Sequence, residues 1–424
     1  MSPSACLVAA LHVALLLGAL VARSARSDEP GSHRAGPTPE AGLVAGNRTF
    51  ACDLLRLVAA KPGNAFFSPH SITSALALAR AGAAGETATQ MDAVLHLPPQ
   101  APAAYRALVT ALTTIPEIEE YSEKGPQKTP AYGLSIANGL FVRKGFALVE
   151  AFRATVADDF KAELRELDFA KGSEARDAIN GWVAQKTKDR IKDIVPAGLP
   201  PSDTRLLLAN AIHFKAQWAE PFPESATADG PFTVSPGKDV VAKRMKRRDR
   251  MAYAETPTAQ WLEILYRGGD TSMIVILPKS KDGIDGLVTS LTGDAVATAV
   301  ATLATQRVAL ELPKFSFTAT LDVAVPLKAL GMTAAFEPTK ADFSGIAADK
   351  LFVGAVLHKA FVAVDEKGTE AAAATVVRMT LSAAPAENAP IPFVVDHPFL
   401  FLIRHRVTGE ILFVGRVQDP TAGS

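Results

Sequence analysis

The 424-residue chain balances 44 lysines and arginines against 44 aspartates and glutamates, so no net field draws it to nucleic acid or an anionic membrane surface. Its 48% hydrophobic and 21% charged residues sit close to the values of soluble globular proteins. Two cysteines, one of them (Cys6) in an apolar leader, leave Cys52 alone in the remainder, so stability has to come from a large core and not from a disulfide.

The leader "ACLVAALHVALLLGALVA" ends in "RSARS", with Ala22 and Ser24 placed for signal-peptidase cleavage after Ser24. Residues 1–24 therefore read as a signal peptide, and the protein as secreted or exported to an extracellular or periplasmic space. No basic residue precedes the run and His12 interrupts it, so an uncleaved anchor is the competing reading. Residues 25–42, rich in Pro, Gly, Ser and charge, read as a flexible lead-in. Asn47-Arg48-Thr49 fits a glycosylation acceptor.

From Leu43 to Pro420 helical and strand periods alternate without a linker or composition shift, which predicts one domain. "SPHSITSALALARAGAAGETATQMDAVLHL" predicts two helices, with Ser68-Pro69 as the start of the first. "ANGLFVRKGF" (137–146) reads as a strand and turn, and "ARDAINGWVAQKTKDRIKDIV" (175–195) as an amphipathic helix. "RLLLANAIHFKAQWAEPF" and "SMIVILP" are apolar strands, "RVALELPKFSFTATLDV" (307–323) alternates as a sheet strand, and "FLFLIRHRVTGEILFVGRV" gives two strands about Thr408-Gly409. Strands and helices follow no regular βαβ beat, which predicts a mixed α+β fold with large antiparallel sheets.

Motifs for chemistry are missing: no HExxH, CxxC pair, phosphate-binding glycine loop or G-x-S-x-G elbow occurs, and no histidine has metal-ligand spacing. An enzyme, a resident metal or a cofactor has no residue behind it. The basic run "KRMKRRDR", Lys243 to Arg250, reads as a solvated strand or loop face in preference to a polyanion site.

The stretch "VDEKGTEAAAATVVRMTLSAAP" (364–385) carries more information. Split by parity from Gly368 to Leu381, Thr369, Ala371, Ala373, Thr375, Val377, Met379 and Leu381 form an uncharged set. Both charges, Glu370 and Arg378, fall in the other set. Small neutral side chains at the start of the uncharged set would let this segment pass between packed strands. Four consecutive alanines are also poor strand formers, so the segment suits both an exposed loop and an inserted strand.

"VDEKGTEAAAAT" resembles the reactive-loop hinge of serpins, and "DHPFLFLIRHRVTGEILFVGRVQDP" resembles their C-terminal signature. "NAFFSPHSITSALALARAGAAGETATQM", "LLANAIHFKAQWAEPF" and "LPKFSFTATLDVAVPLKALGM" resemble further blocks of that family, in the family's order. The resemblance implies an α+β serpin fold of three β-sheets and eight or nine helices with an exposed reactive loop, here about 366–396. It implies a monomer, not an enzyme, that partners a target serine protease by forming a covalent acyl complex. The cut loop then inserts into the main sheet and distorts the protease.

Carried over residue by residue, the hinge is Glu366 to Thr375, including Gly368, Thr369, Glu370, Ala371, Ala372, Ala373, Ala374 and Thr375. Trp218 matches the tryptophan at the top of the main sheet, where insertion starts. Ser68, Ser71, Asn210 and His358 match a polar cluster that governs sheet opening. Counting seventeen residues from Glu366 places the scissile bond at Ser382–Ala383. The distance on to His397-Pro398 is longer than the family's, which leaves Leu381–Ser382 and Ala383–Ala384 open. These residues imply an elastase- or chymotrypsin-like target, with Arg378 attracting trypsin-like enzymes that cleave without being trapped. The alternative function is a non-inhibitory serpin acting as carrier or chaperone.

Overall fold

Leu206–Gln217 is buried along almost its whole length, which requires a central strand covered on both faces. The computed structural model of the chain describes residues 40–122, 125–370 and 389–423. In it this strand lies inside a six-stranded sheet. In chain order its strands are β1 (Tyr132–Arg143), β2 (Glu163–Leu167), β3 (Leu206–Gln217), β4 (Phe315–Asp322), β5 (Val353–Val364) and β6 (Gly368–Thr369). Across the sheet the order is β4-β5-β6-β3-β1-β2. A nine-stranded sheet and a two-stranded hairpin, Glu117–Ser122 with Gly125–Pro130, complete the β-structure, and nine α-helices are found among the described residues.

Three helices position the site: α1 (Ala41–Val58), α2 (Pro69–Arg80) and α3 (Gly172–Lys186). Alternation along β3 decides which helix covers which face. Leu206, Leu208, Ile212, Phe214 and Ala216 belong to the main core, which α1 and α2 share. Leu207, Ala209 and Ala211 point the other way, onto Ala175, Ile179, Trp182 and Val183 of α3. Helix α2 starts as predicted, with Ser68 at the N-cap: its hydroxyl accepts the Ser71 N–H at 3.1 Å and Pro69 fills the first turn.

Two expected elements are cut short. The helix expected over 175–195 stops at Lys186, because Thr187 Oγ caps it: the hydroxyl donates to Val183 O and accepts the Ile191 N–H, while Lys188 and Asp189 turn left-handed. The single strand expected over 307–323 is two strands in two sheets, Ala304–Pro313 and β4. The break falls just after Pro313, which has no N–H to give: the Lys314 N–H makes one last bond to Lys243 O of the nine-stranded sheet, and Phe315 already pairs with Val364 in the other sheet. The hairpin at Thr408-Gly409 forms as expected, with Phe399–His405 pairing Ile411–Val417.

The Asn47 acceptor is not available to a glycan in this fold. Asn47 lies inside α1, fully buried, and its Nδ2 donates to Glu410 Oε1 at 2.8 Å. Helix α1 begins at Ala41, inside the segment read as a lead-in. Cys52 is a free, buried thiol, its pKa pushed up to about 12 by burial. The leader, residues 1–24, lies outside the described residues, among which no helix is long and apolar enough to cross a membrane.

Candidate functional site: the hinge and the sheet it enters

Strands β3 and β5 run parallel and pair directly from Val353↔Leu206 to Ala360↔Ile212. Beyond that point they part, and β6 fills the gap, antiparallel to both: Thr369 lies opposite Val364 on one side and Ala216 on the other. Gly368 and Thr369 of the expected hinge are therefore already a strand. Gly368 is needed there, since a Cβ would sit 2.1 Å from Ala216 O.

The turn into β6 is held at several atoms. Asp365 Oδ1 accepts the Lys367 and Gly368 N–H groups at 2.8 and 3.2 Å. Trp218, fully buried, donates its backbone N–H to Lys367 O and its indole Nε1–H to Asp365 O, both at 2.9 Å. Its ring stacks on Tyr266 at 4.6 Å, and the Tyr266 hydroxyl shares a 2.7 Å hydrogen bond with Thr369 Oγ1. Glu366 accepts from Lys314 Nζ at 2.7 Å and Thr227 Oγ1 at 2.8 Å. Burial alone would raise the Glu366 carboxyl; these donors outweigh it and hold the group below the ordinary carboxylate range.

Parity placed Thr369 on the covered face and Glu370 on the open one. Thr369 is covered as expected. Glu370 differs: its side chain is only 3% exposed, ion-paired to His213 Nε2 and 3.7 Å from Arg190. The turn after α3 roofs that face, which the expected longer helix would not have done.

Six residues along β3 and β5 from the Thr369 row, Ser68, Ser71, Asn210 and His358 meet around the register pair His358↔Asn210. The Ser68 N–H donates to His358 Nε2 at 3.0 Å, so the imidazole proton sits on Nδ1 and is donated to Asn210 Oδ1 at 2.9 Å. Asn210 Nδ2 in turn donates to Ser71 O at 2.9 Å and to Asn138 Oδ1. Burial pushes the His358 pKa down to about 3, and a second ring proton would face the Ser68 N–H head on. Ser71 thus enters through its carbonyl; its buried hydroxyl has no partner among the described residues.

Sequence reasoning missed Asn138, Tyr266, Lys314, Thr227, His213 and Arg190. Asn138 was the most accessible of these, since it stands opposite Asn210 in the β1–β3 register. Ala371, Ala372, Ala373, Ala374, Thr375 and the expected bond residues Leu381, Ser382, Ala383 and Ala384 lie outside the described residues. Lys243 to Arg250 lies in the strand Lys238–Glu255 and is partly neutralised there: Lys243 pairs with Asp229, Arg244 and Lys246 with Glu311.

Residues 45–420 match the family described as Serpin (serine protease inhibitor). A serpin-like protein of Thermococcus kodakarensis is 37% identical over 91% of this chain and 87% of its own. The leukocyte elastase inhibitor of Bos taurus is 36% identical over 89% of this chain and 99% of its own. The structure of human thyroxine-binding globulin, solved in complex with thyroxine, superposes with a TM-score of 0.79 at 29% identity over 90% of this chain and all of that one.

Proposed function

The chain belongs to the serpin family, and from that premise we propose that it is a suicide-substrate inhibitor of elastase- or chymotrypsin-like serine endopeptidases. A target attacks the segment after Glu370, with Ser382–Ala383 as the proposed bond and Leu381–Ser382 or Ala383–Ala384 as neighbouring registers. The acyl-enzyme forms, the freed strand continues the course of β6 between β3 and β5, and the attached protease is carried with it and distorted. The native sheet is then a kinetic trap whose energy is released by strand addition.

One observation carries this reading. β6 is a strand already started between two others, antiparallel to both, with the closed β3–β5 register directly in its path. A continuing strand would have to part the His358–Asn210 pair, which is why that cluster is the proposed gate. The similarity to a leukocyte elastase inhibitor supports the target class. Export through residues 1–24 and a monomeric state belong to the same proposal.

Incubation with neutrophil elastase, chymotrypsin and trypsin, followed by denaturing gels and mass spectrometry of the released peptide, tests it. The expected result is a covalent band near the summed mass with elastase or chymotrypsin, and a peptide beginning at Ala383. Trypsin is expected to cut at Arg378 and turn over, because that cut shortens the insertable strand. Cleavage by all three with neither a covalent band nor a gain in stability would favour a carrier, the reading that the likeness to a thyroxine-bound structure supports.

A further inference from the structure

On the α3 face of the sheet, beside the hinge, a cavity of about 270 Å³ is lined by Gly133, Ser135, Lys188, Arg190, His213 and Lys215. Its floor is two register pairs of β1 and β3, Gly133↔Lys215 and Ser135↔His213. Its roof is the left-handed turn that follows α3. Three permanent cations and an imidazole converge here. Among the described residues Lys188 and Lys215 have no carboxylate within ion-pair distance, and Asp189, between the two roof cations, does not line the cavity.

Among the described residues the single acid that reaches this set is Glu370 of the hinge. Its Oε2 takes His213 and lies 3.7 Å from Arg190, while its Oε1 is buried with no hydrogen-bond partner among the described residues. A buried acceptor without a partner is costly, and this carboxylate does not itself line the cavity, so the cavity holds cations that a group with more oxygens could satisfy.

We propose that this cavity is a binding site for one tetrahedral oxyanion, a phosphate or sulfate group, which competes with the Glu370 carboxylate for His213 and Arg190. Gly133, without a side chain, leaves the floor open to it, and Ser135 adds a hydroxyl. Linkage fixes the consequence: an anion that binds better when Glu370 is withdrawn shifts the hinge out of the sheet. Only that consequence rests on the inhibitor reading, through a reactive loop lengthened by the released residues.

The test uses the intact protein without any protease. Uptake of inorganic phosphate is measured by equilibrium dialysis against chloride at matched ionic strength, together with amide exchange of the peptide 365–370, where the Glu370 N–H now donates to Ala363 O. Expected are saturable uptake of one phosphate and faster exchange in phosphate than in chloride. Glu370→Gln should bind about tenfold more tightly, and Arg190→Ala or Lys215→Ala about tenfold more weakly. A short sulfated oligosaccharide is run in parallel: saturation at far lower concentration would make the group part of a polymer, and equal behaviour would make it a free ion. No uptake by either the native protein or Glu370→Gln overturns the site, and uptake with unchanged hinge exchange overturns the competition. Failure of protease trapping leaves both results standing, so the two proposals fall separately.

Discussion

At Gly368 the space between β3 and β5 is closed to any side chain, since a Cβ there meets Ala216 O at 2.1 Å. Gly368→Ala should therefore expel β6, seen as faster amide exchange of 365–370 with an unchanged far-ultraviolet spectrum; unchanged exchange would mean that the strand yields instead. His358 sets a pH dependence. Its pKa is about 3 in the fold and about 6.5 in an unfolded chain. Between those values only the unfolded chain takes up the proton. The stability that the neutral ring contributes is thus complete above about pH 6.5 and is lost as pH falls toward 3, at up to about 1.4 kcal/mol per unit. His405, lowered to about 4 by burial, acts in the same window, so the native protein must be compared with His358→Gln. The urea midpoint of the native protein should drop between pH 7 and pH 5 by more than that of the variant.

At the scale of elements, the sheet is divided into an entered end and a closed one, and the His358–Asn210 pair belongs to the closed end. Because this pair is tied on through Ser68, Ser71 and Asn138, its members should not act independently. A double-mutant cycle of Asn210→Ala and His358→Ala should give a coupling of about 0.5–3 kcal/mol, whereas additive effects would show two separate contacts. The same elements mark how far the sequence could be read. β3, the helix start at Ser68 and the Thr408-Gly409 hairpin were legible because apolar runs, caps and turn residues act locally. The end of α3 was not: helical periodicity runs on past Lys186, and only the Thr187 hydroxyl and two left-handed residues stop it. That stop is what brings Arg190 over Glu370, so the burial of Glu370 was also illegible. The split at Pro313 was available locally, but which sheet each half joins is a tertiary choice.

For the molecule as a whole, the segment after Glu370 is anchored at both ends in different sheets. β6 belongs to the six-stranded sheet, while Ile391–Val394 runs parallel to Ala304–Pro313 at the edge of the nine-stranded one. While the chain is intact, that second anchor restrains how far the segment can follow β6 between β3 and β5. A cut removes the restraint and leaves the N-terminal side attached to a strand already in place. Resemblance of motifs gave the family and its order of blocks, and parity gave the covered side of Thr369; neither could show that Gly368 and Thr369 are already seated in the sheet. The most direct measurement is the thermal unfolding midpoint before and after a single cleavage within 371–388, with amide exchange of the 371–380 peptides followed in both forms. Insertion predicts a midpoint at least about 10 °C higher after the cut and strong protection of those peptides. An unchanged midpoint with freely exchanging peptides would contradict a sheet built to receive its own loop.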